Sequence, residues 1–155
     1  MVRLVLFEPD IPQNAGSLIR LTACLGLPLE VVEPCGFLWD DRRLRRAGLD
    51  YHDLAQVTRH ASWRAFREAR PGRLVLLTTR ARQAYCDFAF APEDMIMVGR
   101  ESAGVPDEIH ALADARLCIP MRPGLRSLNV AIAAAMVAGE AIRQLDSFPR
   151  GDSHG

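Results

Sequence analysis

Residues Leu117 to Leu145 read LCIPMRPGLRSLNVAIAAAMVAGEAIRQL, and the fold is decided by how that stretch divides. Leu117-Cys118-Ile119 is an apolar run stopped by Pro120, which cannot donate to a sheet ladder and so fits a strand end. Met121 to Arg126 makes a loop, with Pro123-Gly124 as its turn signal. Ser127 is placed to cap a helix beginning just after it, its hydroxyl accepting a bond from an otherwise orphan backbone N–H. From Leu128 to Leu145 good helix formers dominate, and the first half is apolar on almost every side, as in a helix buried in a core or against another chain. Strand, loop and capped helix make a sheet-to-helix crossover. In an open α/β sheet, ligands bind beyond the C-terminal ends of strands, where such loops lead into helix N-termini. Two polar residues, Ser127 and Asn129, at the mouth of an apolar helix make this crossover a candidate site as well as a connection.

The rest of the chain alternates in the same way. Arg3–Phe7, Leu29–Val32, Leu74–Leu77 and Met95–Val98 are short apolar runs of strand type, and Val57 begins another. Asn14 is a capping residue for a helix over Ala15–Leu25, whose Leu18, Ile19, Leu21, Thr22 and Leu25 share a face and which Gly26 terminates. Arg20 lies mid-helix beside that stripe. Ser62 caps a helix running to Ala69, and Pro106 opens a short one to Leu112. Residues 81–93 read as irregular. Strands alternating with helices define an α/β fold with a mostly parallel sheet. Residues 1–147 form a single domain, and 148–155 a polar tail.

The chain has 155 residues, 49% of them hydrophobic, and zero formal net charge. That supports a core and excludes a global field that would draw in nucleic acid. All 19 basic residues are arginine, a planar forked donor suited to phosphate. Cys24, Cys35, Cys86 and Cys118 are widely spaced, three of them in or beside apolar runs as small buried hydrophobes would be. His52, His60, His110 and His154 lack metal-ligand spacing. No apolar run approaches the roughly 18 residues of a membrane span. The expectation is a soluble cytoplasmic protein without a metal.

Phe37 and Trp39 precede Arg42-Arg43-Leu44-Arg45-Arg46, four arginines in five positions. Aromatic residues beside arginines suit stacking on bases and gripping phosphates; the same pattern also fits an exposed helix whose arginines pair with Asp40 and Asp41. Gly99-Arg100-Glu101-Ser102-Ala103-Gly104 comes after a strand, its two glycines five apart allowing close backbone approach, and it is neither a dinucleotide fingerprint nor a P-loop.

Three loops, each after a strand, thus carry Asn14-x-Gly16-x-x-x-Arg20, Gly99-Arg100-Glu101-x-x-Gly104, and Ile119-Pro120-Met121 with Ser127-Leu128-Asn129-Val130-Ala131. Together they closely resemble the three motifs of the SpoU branch of the SPOUT RNA methyltransferases. Glu8-Pro9-Asp10-Ile11-Pro12-Gln13-Asn14 and Arg45-Arg46-Ala47-Gly48-Leu49-Asp50-Tyr51-His52 are similar to the small members that methylate the wobble nucleotide of tRNA. The resemblance covers Val2 to Leu145. It implies a minimal SPOUT fold with a C-terminal deep trefoil knot, an obligate homodimer, and S-adenosylmethionine held around Leu77, Thr78, Gly99, Ile119, Met121, Ser127 and Leu128. The implied activity is 2′-O-methylation of a wobble pyrimidine in the anticodon stem-loop.

The resemblance gives the catalytic role to Arg20, with Asn14, Glu101, Ser127 and Asn129 around it. Guanidinium keeps its proton in proteins, so Arg20 is better suited to gripping a phosphate and stabilising an alkoxide than to acting as a base. Arg42, Arg43, Arg45 and Arg46 are expected to bind the anticodon arm with Arg20. Two departures bear on the RNA target: Gly139 stands where such members carry tyrosine, and Ala131-Ile132 where they tend to have Ser-Asn. Another tRNA or ribosomal RNA position, or an RNA-binding domain without catalysis, is the alternative. A flavodoxin-like phosphate loop is disfavoured because Pro9–Gln13 lacks glycines.

Overall fold

The computed structural model describes residues 1–40, 42, 44 and 55–151. Seven strands, β1 (Arg3–Phe7), β2 (Pro28–Val32), β3 (Gln56–His60), β4 (Leu74–Leu77), β5 (Gln83–Ala84), β6 (Met95–Val98) and β7 (Ala115–Cys118), form one sheet in the order β3-β2-β1-β6-β4-β7-β5. Every pairing is parallel. Helices whose bounds lie within the described residues flank it: α1 (Pro12–Leu25), α2 (Trp63–Ala69), α3 (Asp107–Leu112) and α4 (Val130–Gln144). The expected α/β class and parallel sheet are present. Residues 81–93 contain the two-residue β5 and a 3₁₀ turn over Tyr85–Asp87, more order than the sequence pattern indicates.

Both faces of the sheet are covered, which is why its strands read as continuous apolar runs. Alternate residues divide between the layers. Leu4, Leu6, Leu29, Val31, Val75, Ile96, Val98 and Leu117 pack with Leu18 and Ile19 of α1 and Val137, Ala138 and Ala141 of α4. Val5, Phe7, Val32, Leu74, Leu76, Met95 and Met97 pack with Phe66 of α2 and Ile109 of α3. Ser62 caps α2 as expected, its hydroxyl accepting from Ala65 N–H at 3.1 Å. Gly26 closes α1 at φ 68°, while Leu27 N–H returns to Thr22 C=O at 2.9 Å.

Both expected caps at the site belong to other residues. α1 begins at Pro12 with Ile11 as its N-cap and no side-chain cap; proline presets the first helical φ, and the N–H it lacks is one with no partner inside a helix. Asn14 lies within the first turn, its side chain engaged elsewhere. α4 begins at Val130, not Leu128, and is capped by Asn129, whose Oδ1 accepts from Ala131 N–H (2.9 Å) and Ile132 N–H (3.2 Å). Ser127 remains in the preceding loop. Nor is α4 buried all round within this chain: Ala134, Val137, Ala138, Ala141 and Ile142 are buried, but Ile132 and Met136 are exposed. Of the cysteines, Cys24 and Cys86 are exposed and Cys35 and Cys118 half-buried, so none is the small core hydrophobe expected.

Among the buried polar residues Asn14, Thr22, Glu30, His60 and Asp94, one carboxylate stands in the middle of a strand. Glu30 of β2 is fully buried and accepts from Arg3 Nη1 (3.0 Å) and Arg70 Nε (2.7 Å), with His60 Nε2 at 2.8 Å. Burial raises its pKa, but hydrogen bonds from Arg70 and His60 outweigh that and leave it below the usual value. No helix among the described residues is long and apolar enough to cross a membrane.

Candidate active site

Going from β1 the chain winds outward through β2 to β3, and the later strands fill the other half of the sheet. The reversal lies between β1 and β6, and the crevice beyond their C-terminal ends is where an open α/β sheet binds ligands. The loops leaving β1 and β6 are fastened together there. Asp10 Oδ1 accepts from Glu101 N–H at 3.1 Å, and Glu101 Oε2 accepts from Asp10 N–H at 2.9 Å. Asp10 Oδ2 also accepts a short hydrogen bond from the Ser102 hydroxyl. The result is a reciprocal clasp between segments 91 residues apart in sequence.

From Glu101 a chain of amides runs to α4. Asn14 Nδ2 donates to Glu101 Oε1 (3.2 Å), Asn129 Nδ2 donates to Asn14 Oδ1 (3.1 Å), and Asn129 Oδ1 takes the two helix N–H groups. Each amide donates toward the carboxylate and accepts from the helix side, so the orientation of both asparagines is fixed by the ends of the chain. Three of the five expected catalytic residues, Asn14, Glu101 and Asn129, therefore meet. Glu101 holds the loop and Asn14. Arg20 is on the exposed side of α1, and Ser127 is exposed in the loop before α4.

The carboxyls of the clasp diverge electrostatically. Asp10 is held down to about 2, first by its interaction with the Glu101 carboxyl and then by the Ser102 hydroxyl. Glu101 is pushed up, first by burial and then by the neighbouring Asp10 carboxyl. Arg100 lies near Asp10 and Glu8, at 3.8 Å from each, too far to neutralise them by hydrogen bonding.

Glu101 and Ser102 also line a cavity of about 360 Å³ beyond the C-terminal ends of β4, β6 and β7. All seven expected cofactor residues line it: Leu77, Thr78, Gly99, Ile119, Met121, Ser127 and Leu128. Its lining is mainly apolar side chains, hydroxyls and glycines, with Arg100 and Arg126 accompanied by the carboxyl of Glu101, a mixture that suits adenosine with an attached sulfonium better than a polyphosphate. Gly99 serves this wall indirectly. A Cβ there would come within 2.5 Å of Gly104 C, so glycine is needed for the loop to fold back on itself, Arg100 N–H bonding Gly104 C=O at 2.9 Å. Among the described residues no group of three or more His, Cys, Asp or Glu could hold a metal.

Sequence reasoning misses Asp10, Ser102 and Arg126. Asp10 is visible only as a loop residue, because nothing in local spacing announces a partner 91 positions away; Arg126, in the loop before Ser127, also borders the cavity. Of the basic cluster, Arg42 is exposed and its backbone N–H donates to Asp40 Oδ1 at 2.9 Å; Arg43, Arg45 and Arg46 lie outside the described residues.

A parallel α/β sheet with three strand-terminal loops around one cavity, two of them joined through Asn14, Glu101 and Asn129, defines a class, and the sequence pattern of the SpoU rRNA Methylase family matches residues 1–139. The chain belongs to that family. Among its relatives is a tRNA (cytidine(34)-2'-O)-methyltransferase of Ancylobacter novellus, 57% identical over 150 residues, 95% of each chain. A solved structure described as giving insights into the 2-OH methylation of C/U34 on tRNA superposes with a TM-score of 0.90 at 42% identity, covering 94% of this chain and 97% of that one. The SpoU methyltransferase AviRb from Streptomyces viridochromogenes, solved in complex with AdoMet, gives a TM-score of 0.80 at 28% identity over 95% of this chain and 61% of its own.

Proposed function

We propose that this chain transfers a methyl group from S-adenosylmethionine to the ribose 2′-hydroxyl of the wobble pyrimidine, cytidine or uridine, in the anticodon loop of particular tRNAs. The observation that carries the reading is the hydrogen-bonded chain Glu101–Asn14–Asn129 beside a cavity lined by Ser127, Leu128 and the loops after β4, β6 and β7. Identity of 57% across 95% of a relative named for this reaction supports the substrate.

When bound, S-adenosylmethionine supplies an electrophilic methyl on a sulfonium. The protein's task is then alignment. Backbone groups at Leu77, Thr78, Gly99, Ile119, Met121 and Leu128, with the Ser127 hydroxyl, hold the cofactor. Arg20 grips a phosphate of the substrate and stabilises the alkoxide that develops as the hydroxyl proton leaves. Asn14 and Asn129 keep the surrounding loops in register, and Glu101 anchors them. Arg42, Arg43, Arg45 and Arg46 hold the anticodon arm.

The active form is a homodimer. Its support is an uncovered apolar face on α4 and the loop before it, where Ile132 and Met136 of the helix are 56% and 39% exposed and Leu128 of the loop 38%, with Ile11 before α1 at 39%. Gly139, with open space around its Cα, lies on the same helix. Residues 1–147 act as one domain with a short tail, in the cytoplasm where tRNA is processed. A C-terminal trefoil knot belongs to the same reading; its support is that the chain leaves β7, next to β4, and returns across the sheet to pack α4 on β6 and α1.

Incubation with labelled S-adenosylmethionine and total tRNA, and then nucleoside mapping, tests the reading. Label on the ribose of a wobble cytidine or uridine is expected; ribose label elsewhere would replace the substrate, and label on a base would replace the chemistry. Arg20→Ala should lower turnover by about 10²–10³-fold, as loss of a transition-state donor does, at unchanged cofactor affinity. Equal loss of both would remove the assigned role.

A further inference from the structure

An aromatic ledge stands two strands away from the clasp, on a loop joined directly to it. Gly36 N–H donates to Pro9 C=O at 2.9 Å, and a Cβ on Gly36 would fall 2.5 Å from Asp10 Cβ. The loop after β2 therefore packs backbone-to-side-chain against the residue that fastens Glu101. Beyond Gly36, the rings of Phe37 and Trp39 are stacked at 20° with centroids 6.2 Å apart, and Leu38 between them is 83% exposed.

Arg59, on the edge strand β3, places its guanidinium 5.1 Å from the Trp39 ring centroid. Glu33 Oε1 takes Arg59 Nε and Nη2 at 2.5 Å, yet the Arg59 side chain is 47% exposed. The carboxylate holds one edge of the guanidinium and the indole supports one face. A planar cation fixed in that way is already ordered before anything meets its open surface, and it loses little rotamer freedom on binding. Neighbouring strands are about 4.8 Å apart, and β3 stands three strands from β6 and four from β4, so the ledge is roughly 15–20 Å from the cavity, a few nucleotides along an unpaired loop from the one being methylated.

We propose that Trp39 and Arg59 form a stacking subsite for an unpaired RNA base a few nucleotides from the target in the same loop. The inference rests on the RNA 2′-O-methyltransferase reading above. The chemistry recognised is the π-face of a base, which stacks on aromatic rings and on arginine planes. The subsite fixes the register of the loop and leaves the identity of the base to other contacts. Because Glu33 and Asp40 offset the local cations, its contribution is insensitive to salt, unlike phosphate contacts.

The test measures binding of a labelled anticodon stem-loop RNA by fluorescence anisotropy to the full chain and its variants, at two salt concentrations. Trp39→Ala should weaken binding by roughly fivefold to a hundredfold, the range of single-base stacking, with the salt dependence unchanged. Trp39→Phe should recover most of the loss, and Arg59→Gln should reproduce part of it. Among RNAs with a single abasic nucleotide moved through the anticodon loop, one should bind the wild-type chain more weakly and Trp39→Ala no more weakly still. Unchanged binding by Trp39→Ala and Arg59→Gln, or equal losses from the abasic RNA in both proteins, would overturn the subsite. Should Trp39→Ala fail to fold, judged by circular dichroism and cofactor binding, Arg59→Gln and the abasic RNA decide alone. A wild-type chain that methylates no tRNA would instead overturn the reading beneath it.

Discussion

Glu30, in the middle of β2, and Glu101, in the loop after β6, are the same residue type in opposite surroundings. Glu30 is matched by two guanidiniums and an imidazole, and its pKa is lowered despite burial. Glu101 is matched by a backbone N–H and a neutral amide, stands beside a second carboxyl, and its pKa is raised, chiefly by burial. A carboxylate clamped by cations is committed to its charge and serves the fold. One buried among neutral donors beside a second carboxyl has its charged form disfavoured, a perturbation that recurs at functional sites.

The largest effect should come from Glu30→Gln. Removing the charge leaves Arg3, Arg70 and His60 around a buried neutral group, at a cost on the order of 3 kcal/mol, read as a lower urea midpoint. Glu101→Gln should cost little stability and most of the activity; a similar stability loss for both would erase the distinction. The pH dependence should differ in sign as well. Glu30 is lowered from 4.5, so its stabilisation is present above that value and is lost as pH falls through the folded one. Glu101 is raised from 4.5, so between its folded value and 4.5 it makes the fold gain stability as pH falls. Urea unfolding across that interval for the two glutamine variants separates the contributions.

A smaller loss is expected for Asn129→Ala. The α4 cap is worth about 1 kcal/mol, and the link to Asn14 goes with it, so cofactor affinity should fall too because Val130 and Ala133 wall the cavity. Asn129→Ser should restore the cap and the stability but not the link; recovery of both by serine would show that capping is all Asn129 does. The smallest change is a shift of a profile. Asp10→Asn removes the neighbouring carboxyl whose interaction helps to raise Glu101, so the acid limb of methyl transfer should move to lower pH. An unmoved limb would detach Glu101 from the activity.

The two glutamates also mark what sequence conveys and what it hides. RLVLF, LVLL and MIMV announce buried parallel strands because both neighbours of each residue face apolar layers. The three loop motifs are legible because site chemistry is concentrated in short segments. Capping misleads at both helices: Asn14, Ser127 and Asn129 share the propensity for an N-cap, and only tertiary partners decide which side chain is free to do it. Asn14 is occupied by Glu101, which leaves Pro12 to open α1. Glu30 passes unnoticed in an apolar strand, though a lone carboxylate there demands partners; Arg3, His60 and Arg70 come from 27, 30 and 40 residues away. Asp10 is hidden for the same reason.

The central claim is that the clasp and amide chain serve methylation of one ribose hydroxyl. Its most direct test compares label transfer from S-adenosylmethionine into two otherwise identical tRNAs, one with ribose and one with 2′-deoxyribose at the wobble position. Label in the first and none in the second is the predicted result. Equal labelling of the two would contradict it.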